Sequence, residues 1–309
     1  MARKRTNSVV VVGSSNTDMV LRVARVPKPG ETLLGGEFST AAGGKGANQA
    51  VAAARAGGRV ALVARLGRDS FGDAALAGFR REGLDLSRIV RDGGVPSGVA
   101  LIFVGADGEN SIGVAGGANQ RLSPRDVGAA RGLIAGARVI LLQLETPLET
   151  VQAAARLARR AGVEVILNPA PARPLPDALL RDVSLLTPNE TEAARLTGVR
   201  VNGVASAANA ARILLKRGVR TVIVTLGAKG ALVATCDGVQ VIPGFKATAV
   251  DTTAAGDVFN GALAVRLAED CPLADAVLFA HAAAAISVTR LGAQPSIPTR
   301  REIDALLNS

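Results

Sequence analysis

The stretch VDTTAAGDVFNGA, residues 250–262, places two aspartates, Asp251 and Asp257, on either side of a run of small residues. One interpretation is a turn into a helix, in which Gly256 frees the backbone and Asp257 lies near the positive end of the helix dipole. The other is an anion site with a carboxylate base beside it, because N–H groups at a helix start attract phosphate. The stretch alone leaves both interpretations open.

Composition limits the class of protein. The chain has 309 residues, 48% hydrophobic content and 35 glycines, which is enough for one large domain or two modest ones. Its apolar runs, such as Val9 to Val12, are too short for a secretory signal and fall far below the roughly 20 residues of a membrane helix. Two cysteines, Cys236 and Cys271, build neither a disulfide framework nor a zinc site by themselves. We expect a cytoplasmic protein with reduced thiols and no membrane association.

The net charge of +10 raises the question of nucleic-acid binding. The chain has no Trp, no Tyr and only 7 Phe, so it nearly lacks the aromatic side chains on which single-stranded nucleic acid stacks. We therefore expect no nucleic-acid partner. A positive field would still raise the local concentration of anionic substrates such as nucleotides.

Apolar runs alternate with Ala- and Leu-rich helical stretches along the chain. The predicted strands are residues 8–13, 59–67, 138–145, 163–171, 183–190 and 220–227, and a helix signal is expected after each one. Continuous Val, Ile and Leu runs predict a mostly parallel sheet between two layers of helices, a three-layer α/β/α fold. Ligands bind at the carboxyl ends of such strands. Polar side chains are expected there at Asn16, Asp18, Glu145, Asn168, Asn189 and Thr225.

Two segments, residues 30–44 and 98–119, lack helical periodicity. The second predicts a hairpin that turns at Asp107 and Gly108. We expect a small β-sheet lid, formed by residues from about 14–44 and 96–119 and inserted into a single domain that spans residues 1–309.

Common nucleotide-binding motifs are absent. GSSNTD follows the first strand in place of G-x-G-x-x-G, and Gly46 follows Lys45 where a P-loop needs Ser or Thr. The polar clusters at strand ends instead match phosphoryl transfer to an alcohol, which needs groups that bind a polyol, N–H donors for phosphate and one base.

Nine motifs together resemble, in order, those of the ribokinase group of the PfkB family of sugar and nucleoside kinases. The resemblance runs from about Val9 to Leu307 and includes NTD, GGKGANQAVAA, SGVALIFV, QLETPLE, LNPAPARPLPD, TPNETEAARLTG, TLGAKG, VDTTAAGDVFNGAL and FAHAAAAISVTRLGAQPSIP. It implies ATP-dependent phosphorylation of D-ribose at the 5-hydroxyl, which gives ribose 5-phosphate and ADP. The alternatives are a PfkB kinase for another sugar (deoxyribose, fructose or a sugar phosphate) or a nucleoside, and a catalytically silent sugar or nucleotide sensor.

The resemblance also implies residue roles. Asp257 corresponds to the catalytic base, and the N–H groups around Ala255 and Gly256 would hold the developing charge of the phosphoryl group. The implied sugar-binding set is Asn16, Asp18, Gly44, Lys45, Asn48, Glu145 and Asp257. Taken singly, these residues are also compatible with ordinary turn, helix-start and surface positions.

For ATP, the resemblance implies contacts from Asn189, Glu192, Thr225, Gly227, Gly230, Gly256 and His281. Asn189 and Glu192 would organise Mg²⁺ and phosphate through water, although an asparagine helix cap explains the same residues. His281 would lie beside the adenine; a buried core histidine is the alternative.

A monovalent cation, K⁺ by preference, is implied at Asp251, Thr253, Ser287, Arg290, Gly292 and Ser296. Thr253 and Ser287 depart from the residues found in some ribokinases, which puts the cation affinity in doubt more than the activity. Finally, the lid strand SGVALIFV is apolar on both faces, and in ribokinases the lids of two subunits clasp each other, so a homodimer is expected.

Overall fold

The computed structural model describes residues 8–107 and 109–308. Thirteen strands lie in these ranges: β1 (Ser8–Val12), β2 (Asn16–Arg22), β3 (Glu37–Gly43), β4 (Arg59–Gly67), β5 (Asp85–Asp92), β6 (Gly98–Val104), β7 (Asn110–Ala115), β8 (Val139–Leu142), β9 (Glu164–Leu167), β10 (Leu185–Leu186), β11 (Thr221–Thr225), β12 (Ala231–Thr235) and β13 (Gly238–Ile242). The same ranges contain eleven α-helices: α1 (Lys45–Arg55), α2 (Ser70–Arg81), α3 (Pro124–Ala129), α4 (Arg131–Gly136), α5 (Leu148–Arg160), α6 (Asp177–Leu180), α7 (Glu190–Thr197), α8 (Val204–Lys216), α9 (Ala255–Ala268), α10 (Leu273–Ser287) and α11 (Arg300–Leu307).

Nine strands form the central sheet, in the order β13-β12-β11-β10-β9-β8-β1-β4-β5. Neighbouring strands from β11 to β5 are parallel, whereas β12 and β13 are antiparallel. The predicted mostly parallel α/β/α fold is therefore confirmed. Its parallel strands bring their carboxyl ends to one edge of the sheet, where the polar residues that follow them can meet.

The prediction that a helix follows each strand is wrong for residues 8–13, after which the chain enters β2, and for residues 220–227. The strand β11 is followed by a short 3-10 turn and then by the antiparallel strands β12 and β13. Gly230, with φ 100°, lies against the backbone of Ile242 and Gly244, so a side chain there would collide with the carbonyl of Ile242. This close approach lets the chain reverse into a hairpin where the pattern of alternation predicted a helix.

Two apolar cores cover the faces of the central sheet. In β1, Val9 and Val11 pack with α1, α9 and α10 on one face, while Val10 and Val12 pack with α5 and α8 on the other. The helix α9 is apolar nearly all round and is buried along most of its length, because α1 and α10 pack against it. The first turn of α9 is thereby held rigidly at the carboxyl edge of the sheet.

A second sheet of four strands, in the order β3-β2-β6-β7, forms the lid. Its strands lie inside the two segments predicted from the sequence, and the predicted hairpin joins β6 to β7. Asp107 lies in the turn, while Gly108 is outside the described residues. The strand β2 continues directly from β1 by way of residues 13–15, so the lid and the central sheet share one connection at the site.

Within the described ranges, every helix is too short or too polar to cross a membrane.

Candidate active site

The first turn of α9 carries Asp257, whose side chain is 4% exposed. Its Oδ2 accepts a hydrogen bond from Asn48 Nδ2 at 3.0 Å, and its Oδ1 accepts one from Gln49 Nε2 at 2.9 Å. Burial raises the pKa of the Asp257 carboxyl, and the positive charge of Lys45 and the two amide donors oppose this rise. The carboxylate is thus a buried base with a fixed orientation.

The turn that precedes α9 has an unusual backbone. Ala254 adopts a left-handed conformation with φ 60°, and α9 begins at the next residue. Helix starts leave N–H groups without intrahelical acceptors, and here these belong to Ala255, Gly256 and Asp257. The N–H of Ala255 donates to the carbonyl of Thr252 at a long 3.3 Å. Gly256 is consequently the stronger of the two predicted N–H donors for a phosphoryl group.

Asp18 projects from the lid strand β2 toward the carboxyl edge of the central sheet. A side chain at Gly43, on the paired strand β3, would collide with the Asp18 carboxylate. Burial, with the negative charges of Glu145 and Asp257 adding to it, raises the pKa of Asp18 to about 6, although Lys45 opposes the rise. Asp18 thus lies within the segment predicted to form the lid, on the strand that follows β1.

Lys45 is the first residue of α1, directly after Gly44 at the N-cap position. The charge of Asp257 is the main cause that raises the pKa of the Lys45 ammonium, and Glu145, Glu192 and Asp18 add to it while burial opposes it. Glu145 Oε2 accepts from Ser14 Oγ at 2.6 Å and from the Lys45 N–H at 3.0 Å. We call Asp18, Lys45, Glu145 and Asp257 the polar cluster, in which three carboxylates surround one ammonium group.

Asn16 begins β2 beside the polar cluster and is 7% exposed. Asn119, which the sequence reasoning missed, fixes its side chain: Asn119 Nδ2 donates to Asn16 Oδ1 at 2.8 Å and to the Ser15 carbonyl at 3.0 Å. Asn119 Oδ1 also accepts from the Ser15 N–H at 2.9 Å. Because Asn119 ends the second lid segment and bonds to residues at the start of the first, it joins both lid segments at the site.

An apolar cavity of about 280 Å³ lies on the other side of the α9 turn. Its walls include Thr225, Gly227, Phe245, Ala255, Gly256, Phe259, His281, Ala284 and Val288. The ring of His281 lies edge-on to Phe259 with centroids 5.0 Å apart, and its Nε2 is buried without a protein partner. Burial lowers the pKa of His281 to about 4, so its imidazole is neutral near pH 7. Walls of this composition suit a mostly apolar ring system that makes few polar contacts. We call it the apolar cavity.

Asn189 and Glu192 form a capping box at the start of α7, as the alternative reading of NETE predicted. Glu192 Oε2 accepts from the Asn189 N–H at 2.9 Å, and Glu192 N–H donates to Asn189 Oδ1 at 2.8 Å. Burial raises the pKa of Glu192, and Lys45 and Asp257 are near enough to affect it. A β-bridge from Asn189 to Thr225 places both beside the apolar cavity.

Gly230 does not line the apolar cavity, unlike the predicted nucleotide contacts Thr225, Gly227, Gly256 and His281. It serves the crossing of β12 and β13 instead, where its hydrogen side chain avoids the carbonyl of Ile242. The hairpin therefore explains why residue 230 is a glycine, without the expected close approach to a nucleotide.

Asp251 ties together the two segments that were predicted to hold a cation. Its Oδ1 accepts from the Thr253 N–H and its Oδ2 from the Gly292 N–H, each at 2.9 Å. Burial acts to raise the pKa of Asp251, but these hydrogen bonds outweigh it and lower the pKa. Ser287 and Ser296 are buried, with hydroxyls that donate to the carbonyls of Ala284 and Ala293, and the Arg290 guanidinium pairs with Glu302. Arg290 could thus offer a cation only its carbonyl.

The arrangement has the parts that phosphoryl transfer requires. The polar cluster, to which Asp257 belongs, offers hydrogen-bond partners for a polyol, and the α9 turn offers N–H donors. Asp257 directly follows Ala255 and Gly256, which line the apolar cavity, so the turn joins the two regions. Most of the sequence-predicted site residues lie around the polar cluster, the α9 turn and the apolar cavity. Gly230 lies in the hairpin instead, and the six residues of the predicted cation site form a separate group next to the α9 turn.

The chain is similar to known proteins over most of its length. A model of the pfkB family of carbohydrate kinases matches residues 6–300. A ribokinase of Haemophilus influenzae is 48% identical over 295 residues, or 96% of each chain. A deoxyribokinase of Salmonella typhi is 39% identical over 301 residues, which cover 97% of this chain and 98% of that one.

Among solved structures, Arabidopsis thaliana ribokinase complexed with ribose and ATP has a TM-score of 0.91 at 35% identity and covers 98% of this chain and 99% of that one. The family match over most of the length and the identity of these relatives show that the chain belongs to the pfkB family of carbohydrate kinases.

Proposed function

We propose that the protein transfers the γ-phosphoryl group of ATP to the 5-hydroxyl of D-ribose and releases ribose 5-phosphate and ADP. The observation that carries this assignment is Asp257, a buried carboxylate of the polar cluster with both oxygens held by amides, which directly follows two residues that line the apolar cavity. Full-length relatives named ribokinase, including that of Haemophilus influenzae, support ribose as the acceptor.

The proposed step begins with ribose in the polar cluster. Asn16, Asp18, Gly44, Lys45, Asn48 and Glu145 bind its hydroxyls, and its primary hydroxyl faces Asp257. Asp257 takes the hydroxyl proton as that oxygen forms a bond to the γ-phosphorus and the bond from the γ-phosphorus to the ADP oxygen breaks. The N–H groups at Gly256 and Ala255 stabilise the charge on the transferring group, and Lys45 offsets the negative charge near it.

The adenine and ribose of ATP occupy the apolar cavity in this proposal, between Thr225, Gly227 and His281. Mg²⁺ enters with the phosphates of ATP, where it neutralises their charge. The capping box of Asn189 and Glu192 fits a role in binding that ion through water, because only one Glu192 oxygen is engaged by the Asn189 N–H.

A monovalent cation fits between residues 251–253 and 287–296. The Asp251 carboxylate, the backbone carbonyls of Thr253, Ser287, Arg290 and Gly292, and the hydroxyl of Ser296 are oxygen donors of the kind that suit K⁺. Because this segment leads into the α9 turn, an ion there would order the N–H donors.

The cation assignment predicts several-fold faster turnover in K⁺ than in Na⁺ at equal ionic strength. Asp251→Ala should remove that difference and leave residual activity. Equal rates in K⁺, Na⁺ and a bulky organic cation would reduce Asp251 to a turn residue.

The lid supports a homodimer. Its outer face, opposite to Asp18, carries Met19, Leu21, Phe38, Leu101 and Phe103, and the register of β2, β3 and β6 places these five side chains together. Phe38 is 65% and Leu101 54% exposed, which is a large apolar surface to leave in water. Light scattering should give twice the chain mass at micromolar concentration; a fully active monomer would contradict this.

We treat the chain as one kinase domain with an inserted lid, and its use of ATP and its two free thiols, Cys236 and Cys271, suit the cytoplasm.

Deoxyribose is the second candidate acceptor, since a relative named deoxyribokinase is 39% identical over nearly the full length. ATP consumption by the purified protein with ribose, deoxyribose, fructose, sugar phosphates and nucleosides tests the choice. The highest kcat/KM is expected with ribose. A higher value with any other acceptor would replace ribose, and no turnover with any of them would favour a sensor.

A further inference from the structure

A chain of hydrogen bonds among buried amide and hydroxyl side chains lies beside Asp257, the proposed base. These side chains are not among the residues proposed to bind sugar or nucleotide. Gln49, Asn168, Thr187 and Asn260 are at most 6% exposed, and they come from α1, from the ends of β9 and β10, and from α9. Most of these residues belong to motifs that the assignment of ligand contacts left without a role: Gln49 follows Asn48, Thr187 precedes the NETE segment, and Asn260 follows Asp257 by three residues.

The chain starts at the base. Gln49 Nε2 donates to Asp257 Oδ1 at 2.9 Å and to Asn168 Oδ1 at 3.1 Å, so both of its hydrogens are used. Gln143 Nε2 donates to Gln49 Oε1 at 2.5 Å, which fixes the orientation of the Gln49 amide. With its carbonyl oxygen engaged in this way, Gln49 can present only its donors to Asp257.

The hydrogen bonds then lead back to the first turn of α9. Asn168 Nδ2 donates to the carbonyl of Thr187 at 3.2 Å, and Thr187 Oγ1 donates to Asn260 Oδ1 at 2.6 Å. Asn260 Nδ2 donates to the Gly256 carbonyl at 2.8 Å. These hydrogen bonds form a path, through the carbonyl and the hydroxyl of Thr187, from the Asp257 side chain to the Gly256 carbonyl. Because Gly256 and Asp257 are covalently linked, the path closes into a ring.

This ring joins the two parts of the proposed machinery that must act together. One end holds the carboxylate that accepts the proton, and the other holds the peptide unit next to the N–H donors for the phosphoryl group. Buried hydrogen bonds of this kind are stronger than exposed ones, and a missing member leaves its neighbours unsatisfied. The base and the donors consequently share one rigid frame.

We propose that Gln49, Asn168, Thr187 and Asn260 are positioning residues, which hold the Asp257 carboxylate and the first turn of α9 in the geometry for phosphoryl transfer without contacting sugar or nucleotide. The proposal rests on the proposed role of Asp257 as the base. It predicts that breaking the ring lowers turnover and leaves sugar binding nearly unchanged.

Thr187→Val is the sharpest test, because it removes one hydroxyl from the ring at almost constant volume. We expect kcat to fall by roughly 10-fold, as misplacement of a catalytic group costs rate, with the KM for ribose within about 2-fold of the parent value. Thr187→Ser, which keeps the hydroxyl, should restore most of the lost kcat.

Thr150→Val is the matched control. Thr150 is also a fully buried threonine, and its hydroxyl donates to the Leu122 carbonyl at 2.7 Å, in a different part of the fold. It should lower the thermal midpoint about as much as Thr187→Val does, with kcat unchanged. Similar kcat values for Thr187→Val, Thr187→Ser and Thr150→Val would overturn the proposal and leave the ring a purely structural feature.

Gln49→Leu supplies an independent readout. The Gln49 donor favours the charged form of Asp257, so its removal should raise the pKa of that carboxyl and move the acid limb of the kcat profile to higher pH by about one unit. An acid limb at the parent position in folded Gln49→Leu would count against the proposal.

Asp257→Asn separates this inference from the function on which it rests. If Asp257→Asn is inactive while the threonine and glutamine variants are normal, only the positioning role fails. If Asp257→Asn is fully active, the base assignment itself fails.

Discussion

At one end of the cleft, Asp18, Lys45, Glu145 and Asp257 lie within electrostatic reach of one another, whereas the apolar cavity at the other end has alanine, glycine and phenylalanine walls and one neutral histidine. In the polar cluster, the position of each group depends on charge and on hydrogen bonds to other groups of the site. In the apolar cavity, shape alone sets most of what can bind. Single substitutions should therefore have large and pH-dependent effects in the polar cluster, and small effects in the apolar cavity.

The largest effect is expected at the base. Asp257→Asn keeps the shape of the side chain and removes its ability to accept the proton, so kcat should fall by roughly 10²-fold or more, with ribose binding affected only a few-fold. Steady-state kinetics together with calorimetric titration of ribose measures both. Near-normal turnover in a folded Asp257→Asn protein would remove the distinction between the polar cluster and the rest of the cleft.

Asp18→Asn should have the next largest effect. The ionised carboxylate accepts hydrogen bonds from sugar hydroxyls, so the KM for ribose should rise by roughly 10-fold in the variant. In the parent protein, the KM for ribose should rise as the pH falls through about 6, where Asp18 takes up a proton. Kinetics between pH 5 and 8 measures both changes.

The same substitution should stabilise the fold. The pKa of Asp18 is raised to about 6 in the folded protein from the ordinary 3.8, so folding is accompanied by proton uptake between these pH values. The contribution of this group to the free energy of unfolding therefore falls as the pH rises through that range. Asp18→Asn should therefore unfold at a higher temperature than the parent at pH 7.5, with a smaller difference at pH 5. Asp237→Asn, on the exposed β12–β13 turn, is the control, and its unfolding temperature should equal that of the parent at both pH values.

The smallest effect is expected in the apolar cavity. His281→Leu removes the buried Nε2 that has no protein partner, so the KM for ATP should rise by roughly 3- to 5-fold while the KM for ribose stays the same. Because the pKa of His281 is lowered to about 4, the parent protein should show no inflection in the KM for ATP between pH 6 and 8. An inflection near pH 6.5 would mean that the cavity wall carries a titrating charge.

Sequence reasoning predicted the residues of the polar cluster better than those of the apolar cavity. Asp257, Lys45 and Glu145 lie in short motifs of unusual composition, whereas the walls of the apolar cavity are alanines and glycines that occur throughout the chain. His281 had two readings, and the structure favours the cavity wall, since its Nε2 lacks the partner that a satisfied core histidine would have.

Gln49 shows why part of the polar end was also missed. In the sequence it is an ordinary residue of an alanine-rich helix, and its partners Asn168 and Asp257 are 119 and 208 residues away. Only the fold brings them together. Among the elements, six buried strands were predicted from their apolar runs. The buried strand β12 was missed because a helix was expected in its place, and the edge strands β5 and β13 were missed because most of their residues are at least partly exposed.

The proposed reaction requires that the polar cluster presents the primary hydroxyl of ribose to Asp257. Incubation of the protein with ATP, Mg²⁺ and ¹³C-labelled ribose, followed by ¹³C and ³¹P NMR of the product, identifies the oxygen that receives the phosphoryl group. We expect ribose 5-phosphate, with phosphorus coupling at C5 and the adjacent C4 and at no other carbon, and at most a trace of product from Asp257→Asn on the same time scale. Phosphate on the anomeric or any secondary hydroxyl, or normal yield from the variant, would contradict it.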